Sequence, residues 1–216
     1  MGFSRRVGNM KKHDIRIDRS KLHPLLDYRM ERLLKKCKKK GIYLIITEGF
    51  RSAEYQDKLY AKGRTAPGNV VTNARGSSYS SQHQWGIAFD IAINDKDKLY
   101  DTAIICKVAR IAKKLGLGWG GDWTGIVDKP HFYLKKWGSD TVELKLQYGS
   151  FERFRKTWSG RVNYKTRIRM WSNVSRSKVV EKIPNGEKVL VLYKKLWYAK
   201  IKYKGKVGYV RSKYIK

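Results

Sequence analysis

The chain reads as an α+β domain with a small antiparallel sheet and helices, followed by a small all-β barrel. Three observations carry that reading. Up to about residue 148, segments with apolar residues at three- and four-residue steps alternate with short β-rich runs. Beyond about residue 164, only short strands separated by tight-turn residues remain. Charge divides the chain in the same place: its 216 residues carry 49 Lys and Arg against 18 Asp and Glu, a formal net charge of +31, but Arg161–Lys216 alone holds 17 basic and 2 acidic residues. The expected organisation is therefore a domain over 1–148, a polar connection over 149–163 and a barrel over 164–216.

From Leu22 to Lys40, the residues Leu26, Met30, Leu33, Leu34 and Cys37 recur at helical steps, and Gly41 falls where a C-terminal cap belongs. Its run of lysines is a solvated face with positive charge favourably placed at the helix end. Ile42–Thr47 predicts a central strand, and Ala53–Lys62 a second helix, which puts Arg51 at a strand-to-helix junction. Gly63–Ser81 is rich in Gly, Ser, Asn and Thr and predicts a long loop, of the kind that walls a groove. Gly86–Ile93 predicts a strand, Thr102–Leu115 a helix stopped by Gly116, and His131–Leu134 another strand. In the last part, short strands around Val179, Lys188–Leu192, Trp197–Tyr203 and Val207–Val210 are joined by Pro184-Asn185-Gly186 and Lys204-Gly205-Lys206 turns. Cys37 and Cys106 lie in predicted helices and read as reduced, partly buried core residues.

The chemistry is concentrated in two stretches. Ser81-Gln82-His83-Gln84-Trp85-Gly86-Ile87-Ala88-Phe89-Asp90 places an imidazole and a carboxylate seven residues apart, and Asp128-Lys129-Pro130-His131 adds a second imidazole preceded by an acid. His83, Asp90 and His131 form a zinc ligand set of two histidines and one carboxylate, which leaves a coordination position for water as catalytic zinc requires. His13 and His23 lack partner spacing and read as solvated or structural.

On those residues, the SxHxxGxAxD pattern followed by DxxH resembles the VanY-type zinc peptidases, a family of D-Ala-D-Ala carboxypeptidases and L-alanyl-D-glutamate endopeptidases. Glu48-Gly49-Phe50-Arg51-Ser52, Gln56, Leu59-Tyr60 and Gly63-Arg64-Thr65 resemble its substrate-side segment, and Trp119-Gly120-Gly121-Asp122-Trp123 resembles its endopeptidase branch, which includes phage endolysins. The resemblance spans about Leu22 to Tyr133. It implies one zinc per chain, with Asp128 as general base in a position more often filled by Glu. Arg51 would stabilise the oxyanion or hold a substrate carboxylate. Ser81, Gln56 and Trp119 are implied on the substrate side, although a structural role for Gln56 and a core role for Trp119 stay open. The last part, through Trp197-Tyr198, Gly205, Gly208-Tyr209-Val210 and Tyr214-Ile215, resembles a bacterial SH3-like cell-wall-binding domain.

A surface of this charge attracts polyanions, so nucleic acid and an anionic wall are both served by it. With the resemblance, bacterial peptidoglycan and possible anionic wall polymers are the expected partners, with no specific nucleic acid and a monomeric state. A D,D-carboxypeptidase on the same site, or a non-catalytic basic protein that binds wall or nucleic acid, are the alternatives. Apolar runs are too short to cross a bilayer. Met1–Lys21 has no apolar core of a signal peptide. Synthesis in a host cytoplasm and action on the wall after release are therefore expected.

Overall fold

Helix α1 (Pro24–Lys38) starts at a proline in its first turn, where the missing N–H costs nothing. In the computed structural model, which describes residues 17–216, its N-terminal cap is His23, whose Nδ1 accepts from the Leu25 N–H at 3.1 Å. The same ring is buried against Phe154, Trp137 and Trp158, with centroids 5.3 to 5.5 Å away. Burial, reinforced by the positive charges of Lys136 and Arg29, pushes its pKa down to about 3. His23 is thus a structural residue, as its lack of partner spacing suggested; His13 and most of the N-terminal stretch read for a signal lie outside the described residues.

Four strands, β1 (Leu44–Glu48), β2 (Ala88–Ile93), β3 (Leu117–Trp119) and β4 (His131–Leu134), form an antiparallel sheet in the order β1-β2-β4-β3. Helix α2 (Ala53–Ala61) follows β1 and helix α3 (Thr102–Lys114) precedes β3. Strand β2 is a near-continuous apolar run because it is central and covered, and Phe89 stacks on Phe132 of β4 in the core. Helix α1 contributes Leu26, Met30, Leu33 and Cys37 to the same core, and α3 contributes Ile105, Val108 and Ala112. Cys37 is buried and free, its thiol pushed up to about 11 by burial, and Cys106 is also free.

The stretch expected as a polar connection, 149–163, is ordered and largely packed. Helix α4 (Val142–Tyr148) leads into α5 (Phe151–Lys156), and β5 (Ser159–Arg161) follows. Gly149, Ser150, Ser159 and Gly160 punctuate the sequence like a linker, but Phe151, Phe154 and Trp158 recur at helical steps and all three enter the main core. Polar punctuation here caps a helix: the Ser150 hydroxyl accepts from the Arg153 N–H.

The remaining strands are β6 (Arg167–Trp171), β7 (Val179–Pro184), β8 (Lys188–Lys194), β9 (Tyr198–Tyr203) and β10 (Lys206–Arg211). With β5 they form one antiparallel sheet ordered β5-β8-β9-β10-β6-β7 around a second core that includes Ile168, Met170, Ile183, Ile201 and Val210. These six strands make an open ladder with β5 and β7 at its opposite edges, an all-β part as expected whose sheet does not close on itself. Strand β8 bulges between Val191 and Tyr193, and Leu192 turns into the main core beside α1. Lys202 pairs with Asp27 at 3.7 Å, and the Lys200 ammonium donates to the Tyr28 hydroxyl at 3.3 Å while lying over its ring. The C-terminal sheet is therefore docked on α1 by apolar and polar contacts together.

His23 gives this fold an acid weakness. Its folded pKa lies below the unfolded value of about 6.5, so the unfolded chain binds the extra proton and stability falls as pH drops from about 6.5 towards 3. A His23→Asn variant keeps a capping acceptor and removes the titration. In urea titrations between pH 4 and 7, its stability should decline with falling pH less steeply than that of the unaltered protein, by up to about 1.4 kcal/mol per pH unit. Equal slopes would exclude His23 as the source.

Candidate metal centre and cleft

Asp90 on β2 and His131 on β4 are directly opposite one another in the β2–β4 register, and Glu48 on β1 is opposite Asp90 on the other side. Facing positions on one side of an antiparallel pair bring side chains into contact, so residues 41 apart in sequence meet without any loop having to carry them. His83 arrives by a different route, on a single 3-10 turn over Gln82–Trp85 that feeds β2. The turn ends at Gly86, with φ 63°, where a Cβ would sit 2.2 Å from the Lys21 carbonyl oxygen. Only glycine satisfies both the left-handed backbone and that close approach.

The three ligand atoms form a small triangle. His131 Nδ1 is 3.0 Å from Asp90 Oδ1, His83 Nε2 is 3.3 Å from the same oxygen, and the two ring nitrogens are 3.2 Å apart. Tetrahedral zinc with ligands at roughly 2.0–2.1 Å requires edges of about 3.3 Å. The outer hydrogen bonds decide what those atoms offer. His83 Nδ1–H donates to the Gly49 carbonyl at 2.6 Å, and His131 Nε2–H donates to Gln82 Oε1 at 2.8 Å. Oxygen acceptors on the far side draw a ring proton there, which leaves the other nitrogen of each ring facing its partner ring and the Asp90 carboxylate. Three electron-rich atoms at these separations call for a cation between them.

Electrostatics agree with that arrangement. Burial pushes His83 down to about 4, which keeps its ring neutral and able to ligate. Arg51 Nη2 donates to Asp90 Oδ2 at 3.1 Å, and its Nε lies 3.4 Å from Glu48 Oε2. One guanidinium thus bridges two buried carboxylates and fixes the outer oxygen of Asp90, leaving Oδ1 for the triangle. The carboxyl of Asp128 is raised, first by burial and then by the charge of Asp90.

Arg51, Gln82, His83 and His131 line a cleft of about 420 Å³ that also includes Ser81 and Trp123, with the exposed Val70, Val71 and Ile126 at its lips. Asp128 borders it, held by its N–H to the Gly120 carbonyl at 3.1 Å. Gly120 packs so closely that a Cβ there would lie 2.5 Å from the Asp128 carbonyl oxygen. Of the residues expected on the substrate side, Ser81 reaches the cleft. Gln56 does not: it is fully buried, and its amide donates to Thr72 Oγ1 and to the Ala74 carbonyl, both at 3.0 Å, so it anchors the loop that forms the lip. Trp119 is also removed from the cleft, since its ring is buried and its indole N–H donates to the Lys129 carbonyl at 2.6 Å. Trp123 takes the groove position, with its ring 5.1 Å from His131. Gln82 was not among the expected site residues, and Glu48 was expected only as part of the substrate-side segment, not as a partner of Arg51. The signal for Glu48 was a lone acid ending an apolar run; Gln82 had none beyond standing next to a ligand.

An antiparallel sheet with a His-Asp-His triangle at the floor of an open cleft is the layout of a metallopeptidase. The comparisons agree. The family profile described as D-alanyl-D-alanine carboxypeptidase matches residues 75–134, a stretch that contains His83, Asp90, Asp128 and His131. The chain is 43% identical over 126 residues to the peptidoglycan L-alanyl-D-glutamate endopeptidase CwlK of Bacillus subtilis (strain 168), covering 53% of this chain and 74% of that protein. It is 34% identical over 117 residues to the L-alanyl-D-glutamate peptidase of Listeria phage A118, covering 51% of this chain and 37% of that one. Among solved structures, the Serratia marcescens L-Ala D-Glu endopeptidase ChiX overlays with a TM-score of 0.39 at 22% identity, covering 53% of this chain and 80% of that chain. The chain belongs to the VanY-like peptidase family.

The triangle predicts about one zinc per chain, lost from His83→Ala and His131→Ala. Gln82→Leu retains all three ligands but removes the acceptor that orients His131, and metal affinity should fall about 10- to 100-fold. Competition with a chromophoric chelator measures it; unchanged affinity would mean that Gln82 does not set the ring.

Proposed function

We propose that this chain is a zinc-dependent peptidoglycan hydrolase that cleaves the L-alanyl-D-glutamate bond of stem peptides. The observation that carries the chemistry is the His83–Asp90–His131 triangle beside the raised carboxyl of Asp128. The bond is supported by the relatives whose names specify it. His83, Asp90 and His131 would hold the zinc, which would supply Lewis acidity to activate water near neutral pH and polarise the scissile carbonyl.

The protein's own residues do the rest. The lips at Val70, Val71 and Ile126 lay an extended peptide across the floor, and Trp123 gives it a flat apolar rest. Asp128 takes a proton from the attacking water and returns it to the departing amine, and its raised carboxyl brings it nearer to working pH than an ordinary aspartate. Arg51 holds Asp90, and its cationic edge on the cleft serves the developing oxyanion or a substrate carboxylate. Ser81 offers a hydroxyl at the cleft wall.

The C-terminal sheet is the wall-binding part in this reading, with an SH3-like strand sequence, and the whole acts as an endolysin-type enzyme released onto the wall. Dense positive charge on this sheet supports that role. Docking of the sheet on α1 makes it a fixed platform for the catalytic domain and not a loosely tethered anchor.

Asp128→Asn preserves shape and should retain zinc while turnover falls about 10²- to 10⁴-fold. Near-normal turnover with metal bound would assign the proton to another group. Mass spectrometry of digested peptidoglycan should show new amino termini on D-Glu, or its amidated form, with free L-Ala carboxyl ends. Free D-Ala without those termini would instead make the enzyme a carboxypeptidase, the activity that the family profile describes.

A further inference from the structure

A cleft of about 1130 Å³ lies on the C-terminal sheet and takes no part in the chemistry described above. Its border carries Arg167, Arg169, Arg176, Lys182, Arg211 and Lys213 and no acidic residue. None of these six has a carboxylate partner among the described residues. The two acids of this part are occupied elsewhere: Glu181 is held by Lys206 at 2.7 Å, and Glu187 accepts from the Tyr203 hydroxyl at 3.0 Å.

The positive charge is also concentrated at some cost to the fold. Arg169 and Lys182 are direct cross-strand partners on β6 and β7, both exposed, and like charges in facing positions destabilise a sheet. Arg167, Arg169 and Trp171 alternate along β6 and so share one face. Arg176 sits in the left-handed region, with φ 62°, on a loop braced by Asn173, whose side chain accepts from the Ser177 N–H at 3.1 Å and donates to the Ser177 hydroxyl at 2.7 Å. Beside these cations lie apolar surfaces that the fold leaves uncovered, Trp197 at 80% and Leu196 at 83% exposure.

Guanidinium forks engage phosphates, and an exposed indole face engages the C–H faces of sugars and polyols. We propose that this cleft binds a phosphodiester-linked glycopolymer of the bacterial wall; the proposal rests on the peptidoglycan reading above. Single-stranded nucleic acid offers phosphates and flat faces as well. The wall polymer is favoured because the sheet is docked on the proposed peptidoglycan-cleaving domain, and in walls that bear such polymers they are attached to that same peptidoglycan. Asn173, the one amide at the cleft, commits its oxygen and one of its two N–H groups within its own loop, which leaves it a single donor for a base edge.

The test is sedimentation of the full chain with purified walls, either intact or stripped of phosphodiester polymers by hydrofluoric acid, which leaves peptidoglycan in place. Binding to stripped walls should be weaker by about tenfold or more. On intact walls, Trp197→Ala and the pair Arg169→Gln with Lys182→Gln should each lose most of that difference. The pair Lys39→Gln with Lys40→Gln, which removes the same charge beyond the end of α1, should lose less than about twofold. Equal binding of the unaltered chain to both walls overturns the proposal whatever the variants do. So does an equal loss in the α1 control, which would reduce the effect to net charge, or tighter binding to single-stranded DNA of matched charge, which would give the cleft to nucleic acid. Cleavage of soluble muropeptides by the unaltered chain reports the peptidoglycan reading separately, so the two can fail independently.

Discussion

The pairing register of β2 with β4 is the constraint on which the site depends. Asp90 opposite His131 places two of the three ligand atoms 3.0 Å apart, and the continuation of the same row through Glu48 on β1 brings in the carboxylate that shares Arg51. Side chains alternate faces along a strand, so a slip of one residue would send Asp90 or His131 to the opposite face and dissolve the triangle. The apolar residues of β2 and β4 specify the register, because Phe89 and Phe132 must both reach the core on the other side of the sheet. Catalytic geometry is therefore secured by packing that has no contact with substrate.

Two buried histidines show how surroundings divide one residue type between structure and chemistry. His23 and His83 are both driven neutral by burial. In His23 the Nδ1 lone pair is consumed by a helix N-terminus, and aromatic rings close around the remainder. In His83 the Nδ1 proton is consumed by the Gly49 carbonyl, which leaves the Nε2 lone pair facing Asp90 and His131. Burial supplies neutrality in both cases; the neighbouring donor or acceptor decides which nitrogen remains available.

The second sheet turns a charge asymmetry into architecture. Some of its cations dock on α1, where Lys202 meets Asp27 and Lys200 meets Tyr28, and others border an open cleft without acidic partners. Docking covers apolar surface through Leu192, so the association does not depend on exposed ion pairs that salt would weaken. The charge left over is available for a polyanion.

Much of this protein follows from local sequence alone. Helical and strand periodicity gives α1, β1, α2, β2, α3 and β4 to within a few residues, because side-chain period is a property of short windows, and the residue types at His83, Asp90 and His131 mark them as candidate metal ligands. Phe151 and Phe154 lie on a short helix, and Trp158 follows it into the same core, in a stretch that Gly and Ser at its borders disguised as a linker. Tertiary structure decided the rest: that Gln56 anchors a loop from beneath, that Trp119 is a core plug while Trp123 faces the cleft, that Gln82 and Glu48 support the ligands, and that the last sheet is open and docked. The reason is physical: a side chain's role depends on which donors, acceptors and rings occupy the few ångströms around it, and at this site those neighbours come from residues 30 to 50 positions away, brought together only by the pairing of strands.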